Sequence, residues 1–483
     1  MSRKIIIDPV TRVEGHGRVT IHLDDAGKVD KTYFHIVEFR GFERFIQGHP
    51  YWEVPVLVQR LCGICPVSHH LAASKAIDQL VGIDPADLSA PADALRRLLH
   101  YGQIFQSHAL HFFYLASPDL LFGVDAPELK RNVMAVAMED RELARRGILM
   151  RKFGQELIQA IAGKKIHGLT CLPGGVHKAL TEAERDYFLN GKAIPNVDTM
   201  IEWSLGVLDF IKGYHIEHRS FMDSFASLPS GHLGMVSDQG DLELYHGNLR
   251  SIDPAGNVRL NDIPTDAYRE YFSEHVERWS YMKFPYLKDL GLEKGWNRVG
   301  PLARLNVCDR IPTPLAERER QLFFSMNGVT VNNHTMHTHW ARLIELLHCA
   351  ELIKELLHNP EILGTDLERE GKARKEGIGI LEAPRGTLIH HYEVDDHGMI
   401  TRCNLIVSTT HNNEAMNRTV NKVATDVISE QGTITEGMLN QVEVAIRAYD
   451  PCLSCATQAL GKMPLLAEVY GPNDELIKTV ATP

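Results

Sequence analysis

"DPCLSCATQAL", Asp450 to Leu460, is the stretch whose reading decides the fold. Two thiols three residues apart, Cys452 and Cys455, stand near the end of a 483-residue chain, and residues 459–483 follow them. Such a pair alone serves a redox dithiol, half of a metal site, or two structural thiols. A second pair, Cys62 and Cys65, lies in "RLCGICPVSHH" (Arg60 to His70). Together they offer four thiolates, enough for one soft-metal site. A zinc ribbon places its pairs about 15–20 residues apart, whereas nearly the whole chain separates these. A metal joining them would sit at the centre of the fold, held by both chain ends. Spacing by itself leaves three readings open: a buried metal, two separate dithiols, or structural thiols. Cys171, Cys308, Cys349 and Cys403 stand singly and read as small buried hydrophobes.

Between the pairs, helical periodicity dominates from about residue 52. Leu98, Tyr101, Phe105, His108, Phe112 and Leu115 step by three and four, a long buried stripe. Similar patterns predict helices over 131–162, 197–225, 338–358 and 435–448, the last two stopped by Pro360 and Pro451. Alternating segments predict β-hairpins over 5–40 around Asp24–Gly27, 241–260 around Asp253–Asn257, and 388–408 around Asp395–Gly398. A last hairpin is expected in the tail, turning at Gly471–Asp474. The expected fold is mainly α, a central bundle of long helices with small β-hairpin attachments, in one domain over 1–458 followed by a C-terminal extension, 459–483.

Composition narrows the function. The chain is 44% hydrophobic with a formal charge of -11, and no basic tract offsets that charge, which argues against nucleic acid as a partner. No apolar run approaches the roughly 20 residues that span a bilayer. The N-terminus, "MSRKIIIDPV", lacks the apolar core of a signal peptide. The expected location is therefore the cytoplasm, where persistent disulfides are uncommon, and this favours ligands or buried thiols.

The surroundings of the cysteine pairs are more specific. "RVEGHGRV" (Arg12 to Val19), "FRGFE" (Phe39 to Glu43), "RLCGICPVSH", "VGPLAR" (Val299 to Arg304), "EAPRG" (Glu382 to Gly386) and "DPCLSC" occur in this order. The set resembles the large subunit of nickel–iron hydrogenases along nearly the entire chain. "VEFRGFERFIQGHP", "WSYMKFPYLK" and "PCLSCATQALG" resemble most the hydrogenase subunit of cytoplasmic, bidirectional, NAD-reducing complexes.

The resemblance implies nickel held by Cys62, Cys65, Cys452 and Cys455, with Cys65 and Cys455 bridging to an iron that carries carbon monoxide and cyanide. It implies heterolytic cleavage and formation of dihydrogen, with Cys452 as the leading base and the Arg385 guanidinium above the site, oriented by Asp450. Arginine, with a free pKa above about 12, is a poor base but a strong electrostatic stabiliser. Glu14 matches the carboxylate that relays protons from the nickel thiolates, His69 a donor to a bridging sulfur, and Thr409 a donor to cyanide. Ser107 stands where many relatives carry an Asp, which removes one carboxylate from around Arg385. Glu43 matches a magnesium ligand whose partner is usually a histidine; here that position is Gln458, whose amide oxygen also suits a hard cation.

What the chain lacks is equally informative. No further cysteines show a cluster-binding pattern, and no Gly-x-Gly-x-x-Gly turn sits in a nucleotide-binding context. The resemblance places iron–sulfur clusters in a small subunit, with FMN and the NAD site in diaphorase subunits. It also implies a maturation protease that removes a comparable extension, so residues 459–483 are either a removable propeptide or, with Gln458 in place of the usual histidine, a tail that this protein keeps. Two alternatives of function remain: the same chemistry feeding a deazaflavin or heterodisulfide pathway, and a non-catalytic quinone-reductase-like scaffold holding zinc.

Overall fold

A computed structural model describes residues 3–191, 195–428, 433–458, 466–471 and 475–481. Helix outweighs strand, 51% to 19%, and the strands fall into several small sheets. The long helices Ala90–Leu110, Arg141–Ala162, Val197–Glu217 and His337–His358 pack on one another. Their starts are written locally. Ser89 accepts from the Ala92 N–H with Pro91 in the first turn, and Asp140 accepts from the Leu143 N–H. Ala90–Leu110 runs on through a π-helical turn, His111–Ala116, which carries the predicted stripe past residue 110.

Two predicted helices are interrupted. The 131–162 segment breaks at Asp140, whose side chain caps the second helix instead of continuing the first, Val133–Glu139. The 197–225 segment breaks at His218, where Arg219–Ser224 begins a new turn. The helices expected at 338–358 and 435–448 lie at His337–His358 and Glu436–Ala448.

The expected hairpins belong to larger sheets. Arg3–Ile7, Gly17–Leu23 and Val29–Ile36 form a three-stranded antiparallel meander, so the 5–40 segment holds one strand more than a hairpin. Asn248–Ile252 and Val258–Ile263 do pair, but on an inner strand, Gly231–Val236, which lies parallel to Asn297–Arg298. Gly386–Val394 and Ile400–Ile406 pair as expected, and Glu376–Ala383 adds a third strand. Gly231–Val236 and Glu376–Ala383 are buried nearly throughout, which erases the alternation that marks a strand. In the tail, Leu466–Tyr470 pairs antiparallel with Leu476–Ala481; residues 472–474 of the predicted turn lie outside the described residues.

One packing contact positions the site. Helix Pro66–Leu80, which begins directly after Cys65, lies on the sheet of Glu376–Ala383 and Gly386–Val394. A Cβ on Gly379 would sit 1.9 Å from the Ala72 carbonyl oxygen, so only glycine permits this approach. The sheet thereby delivers the turn Ala383–Gly386, with Arg385, to the end of the helix that carries Cys65.

Candidate metal centre

The two cysteine pairs meet. Cys62 lies 3.3 Å from Cys452 and Cys65 3.5 Å from Cys455, sulfur to sulfur, with 2.7 Å between Cys452 and Cys455. All four are buried free thiols within 4.8 Å of one another. Four sulfurs about 2.3 Å from one tetrahedral metal would stand about 3.8 Å apart, so the cluster has the dimensions of a single metal site. Cys62 Sγ also accepts N–H groups of Ile64 and Cys65, at 3.1 and 3.3 Å, as a thiolate would. Burial and the neighbouring thiols push Cys452 and Cys455 up, while the other thiols, with a contribution from His69, push Cys65 down. Four negative sulfurs in so small a buried volume call for a soft cation. The donor set fits nickel with a thiolate-bridged iron. Among the other cysteines, Cys308, Cys349 and Cys403 are buried as expected, and Cys171 is partly buried.

The N-terminal loop reaches this cluster by a clamp. Arg12 pairs with Asp119 at 2.5 Å, and Arg447 pairs with the same carboxylate at 2.8 Å and donates to the Thr11 carbonyl. Next to the clamp, Glu14 pairs backbone-to-backbone with Cys452, and the Leu453 N–H donates to the Glu14 carbonyl at 2.9 Å. Gly15 has φ +86°, and a Cβ there would lie 2.8 Å from Leu453 Cβ and Ser454 N. The glycine of "RVEGH" is therefore needed for the approach. As a result Glu14 Oε2 sits 3.0 Å from Cys452 Sγ and accepts the Ser454 N–H at 3.2 Å; the Ser454 hydroxyl holds the other oxygen.

Arg385 lines a cavity beside the cluster. Its Nε donates to the Asp450 carbonyl at 2.6 Å and its Nη2 to Asp450 Oδ1 at 3.0 Å, while Nη1 is buried and unpartnered. Burial works against its charge, but Asp450, Cys452, Cys65 and Cys62 outweigh it, and the group stays a guanidinium. Asp450 adopts φ +53°, a left-handed conformation Asp tolerates better than most residues. Arg385 lines a small cavity with Cys65, Cys452 and Cys455, closed by Ala383, Pro384, Leu388 and Val407.

The remaining expected residues are distributed around this core. His69 is buried and lines the same cavity, its Nδ1 3.1 Å from His390 Nε2. Thr409 Oγ1 accepts the Cys452 N–H at 3.0 Å, which leaves its own hydrogen free to donate into the cavity. Ser107 is buried with its hydroxyl unpartnered, so it does not bond Arg385. Glu43 and Gln458 lie together, the Glu43 N–H donating to the Gln458 carbonyl at 3.1 Å. Glu43 Oε1 accepts the Leu405 N–H at 2.9 Å and Lys283 Nζ at 3.2 Å, and Lys283 also lies 3.0 Å from Glu274. Gln458 turns its amide nitrogen to the carbonyls of Ser454 and Cys455 and its oxygen to the Phe42 N–H. Side-chain amides satisfy the nearest backbone first, and sequence spacing does not reveal those partners.

One functional residue lies unrecognised inside a matched motif. Arg304, of "VGPLAR", is fully buried and donates to Glu345 at 2.5 and 2.6 Å and to Glu382 at 2.7 Å. It also donates to the carbonyls of Ala383 and Pro384, and so holds the turn that aims Arg385. The sequence does carry a signal for it: a charged residue inside an apolar, Gly-Pro-initiated helix, Pro301–Val307.

The profile of the family described as Nickel-dependent hydrogenase matches residues 40–142 and 250–458, and one described as HoxL-like matches residues 4–39. The chain is 50% identical to the NAD-reducing hydrogenase HoxS subunit beta of Cupriavidus necator, covering 99% of both chains. It is 41% identical to one subunit of the F420-non-reducing hydrogenase vhc of Methanococcus voltae, over 99% of this chain and 100% of that one. A crystal structure of NAD+-reducing [NiFe]-hydrogenase in the H2-reduced state superposes with a TM-score of 0.91 at 52% identity, covering 94% of this chain and 99% of that one. No described helix is long and apolar enough to cross a membrane. Whole-length identity, profile and four gathered thiols agree, and the chain belongs to the nickel-dependent hydrogenase family as a large subunit.

Proposed function

We propose that this chain is the catalytic large subunit of a bidirectional, NAD-linked nickel–iron hydrogenase of the cytoplasm. One observation carries the reading: four buried cysteine sulfurs gathered together, with the Glu14 carboxylate 3.0 Å from Cys452 and Arg385 lining the same cavity as Cys65, Cys452 and Cys455. The NAD linkage rests on identity to a subunit of an NAD-reducing enzyme along the whole chain.

Cys62, Cys65, Cys452 and Cys455 would hold nickel, with Cys65 and Cys455 shared with an iron bearing carbon monoxide and cyanide. When bound, such a centre polarises dihydrogen and takes up its two electrons. The protein's share is proton handling and electrostatics. Cys452 Sγ takes the proton and Glu14 Oε2, at 3.0 Å, receives it. The Ser454 N–H and hydroxyl hold Glu14 in that position. Arg385 Nη1, charged and unpartnered, stabilises negative charge as it develops, and a fixed donor in a dry site does so without reorganisation cost. Asp450 keeps the guanidinium oriented through two of its nitrogens. Ala383, Pro384, Leu388 and Val407 exclude bulk water.

The four-cysteine group is the only all-thiol metal cluster among the described residues, so electrons would leave through an iron–sulfur small subunit, then through FMN-containing diaphorase subunits to NAD. Glu43 would hold magnesium, with Gln458 as the second ligand; the Glu43 N–H donating to the Gln458 carbonyl at 3.1 Å keeps the two positions together. Residues 1–458 would form one domain built around the long-helix bundle, with 459–483 an extension removed by a maturation protease; the family match likewise ends at Gln458.

The second reading keeps the chemistry and changes the acceptor, as the relationship to an F420-non-reducing hydrogenase suggests. The test is metal analysis, infrared spectroscopy and isotope exchange on the purified complex. Nickel and iron near one each per chain, with bands of metal-bound carbon monoxide and cyanide, and dihydrogen–deuterium exchange lost in Cys452→Ala, are expected. Zinc without those bands would identify a non-catalytic scaffold, and exchange retained in Cys452→Ala would remove Cys452 from the role of base.

A further inference from the structure

Behind Cys65 runs a chain of three buried side chains that takes no part in the proton path through Glu14. His69 Nδ1 lies 3.1 Å from His390 Nε2, and His390 Nδ1 lies 2.6 Å from the Tyr392 hydroxyl. All three are at most 1% exposed. His69 stands one turn into helix Pro66–Leu80, and His390 and Tyr392 are alternate residues of strand Gly386–Val394, so both face the helix that packs on it.

We infer that Tyr392 and His390 are positioning residues that fix the tautomer of His69 so that its Nε2–H donates to the sulfur of Cys65. This rests on the reading of Cys65 as a metal thiolate. A metal-bound thiolate only accepts hydrogen bonds, so the His69 nitrogen facing Cys65 has to carry the proton. His69 Nδ1 is engaged with His390, which leaves Nε2 for the sulfur. A neutral imidazole has one N–H, so Nδ1 is then bare and accepts from His390 Nε2–H. That leaves His390 Nδ1 bare, facing the one hydroxyl able to donate to it, Tyr392. Run the other way, the chain would strand the Tyr392 O–H in an apolar cluster and turn a lone pair of His69 toward a negative sulfur. Both ends of the chain therefore select the same direction.

The surroundings keep His390 and Tyr392 neutral. Burial, with the neighbouring His69, holds His390 well below the ordinary histidine value, and burial holds the Tyr392 phenol well above its own. Tyr392 packs among Ala73, Ala76, Ile77 and Leu80 of the same helix, which locks its ring while its hydroxyl faces back along the strand. A hydrogen bond to a bridging sulfur withdraws electron density that the sulfur would otherwise give the metal. The tyrosine would thus tune the electronics of the centre through two intervening rings.

The decisive variant is Tyr392→Phe, which keeps shape and removes only the hydroxyl, beside His390→Leu and the double variant, all in the intact complex. In all three the infrared band of metal-bound carbon monoxide moves to lower wavenumber. The double variant shifts no further than His390→Leu, because the residues act in series. Dihydrogen oxidation falls by about tenfold, the lower end of losses for residues that orient a metal ligand. Bands at the wild-type position in Tyr392→Phe and His390→Leu, with metal content normal, would overturn the chain and leave the metal centre standing. Absence of the bands from the wild-type protein would instead overturn the metal reading itself.

Discussion

Replacing Arg304 with methionine should cost the fold about 3–5 kcal/mol at neutral pH, the range for breaking a buried ion pair on one side. Methionine fills much of the arginine's volume, so the loss isolates charge and hydrogen bonding. Arg304, Glu345 and Glu382 are all fully buried, and five hydrogen bonds of 2.5 to 3.2 Å leave with the guanidinium. An independent route gives the same size. Burial pushes the Glu345 carboxyl up, but Arg304 and His108 outweigh it and bring it from 4.5 down to about 2. A shift of that size corresponds to about 3 kcal/mol of linked stability.

The sign follows from the direction of that shift. Because the folded value lies below the unfolded one, the Glu345 contribution is complete above about pH 5 and fades as pH falls from 4.5 toward 2. In Arg304→Met burial at Glu345 is opposed only by His108 and the more distant Arg342, so Glu345 and Glu382 take up protons in the folded state at higher pH. The difference between wild type and variant is then largest at pH 7 and shrinks on acidification. Urea unfolding of the complex at pH 7 and pH 4.5 measures it. Activity should fall by about 100-fold, because the released Ala383 and Pro384 carbonyls no longer fix the turn that aims Arg385. Arg304→Lys, one nitrogen in place of a fork, should fall between. A destabilisation identical at both pH values would refute the buried-charge argument and point to packing alone.

Three further outcomes are expected. Glu14→Gln should slow exchange of dihydrogen with deuterated water by about 100-fold or more with nickel and iron content unchanged, read by mass spectrometry of the gas; wild-type exchange would remove Glu14 from the proton path. Gly379→Ala places a methyl 1.9 Å from the Ala72 carbonyl and should destabilise by about 1–3 kcal/mol, read in the same urea titration, with activity lost as the strand lifts from the helix. The intact mass of the metal-loaded chain should correspond to residues ending at Gln458, and a full-length mass in active enzyme would show that the tail is kept.

The parts of the site legible in the sequence are those whose chemistry is local. Each cysteine pair announces itself by spacing, and Glu14, Arg385 and Asp450 sit inside short motifs with the turn chemistry, Gly15 and Gly386, that the backbone needs. What stays hidden depends on partners distant in sequence. His390 and Tyr392 look like ordinary strand residues until helix Pro66–Leu80 is laid against them. Glu43 and Gln458 look like co-ligands because both match one site. Their other partners are not written in the motifs: Lys283, 240 residues from Glu43, pairs with the carboxylate, and the Gln458 amide nitrogen donates to the Ser454 and Cys455 carbonyls. Strand Glu376–Ala383 is invisible for the converse reason: buried on both faces from Gly377 onward, it shows no in–out alternation to mark its period.

The clamp at the chain ends joins distant segments beside the site through contacts of the protein itself. Cys62 and Cys452 are 390 residues apart, and closing a loop of that length costs about 5 kcal/mol of chain entropy plus a constant. A metal could offset this alone, since structural sites gain about 10–16 kcal/mol, but it would then have to find four dispersed thiols. The protein instead uses its own contacts for closure. Arg12 and Arg447 share Asp119, Glu443 accepts the Thr11 N–H, and Glu14 pairs with the backbone of Cys452–Leu453. These charge-assisted bonds, about 1.5–3 kcal/mol each, match the closure term in size. None of them involves a cysteine sulfur. The contacts between the chain ends therefore offset part of the closure cost, and less of a metal's binding energy is needed for it.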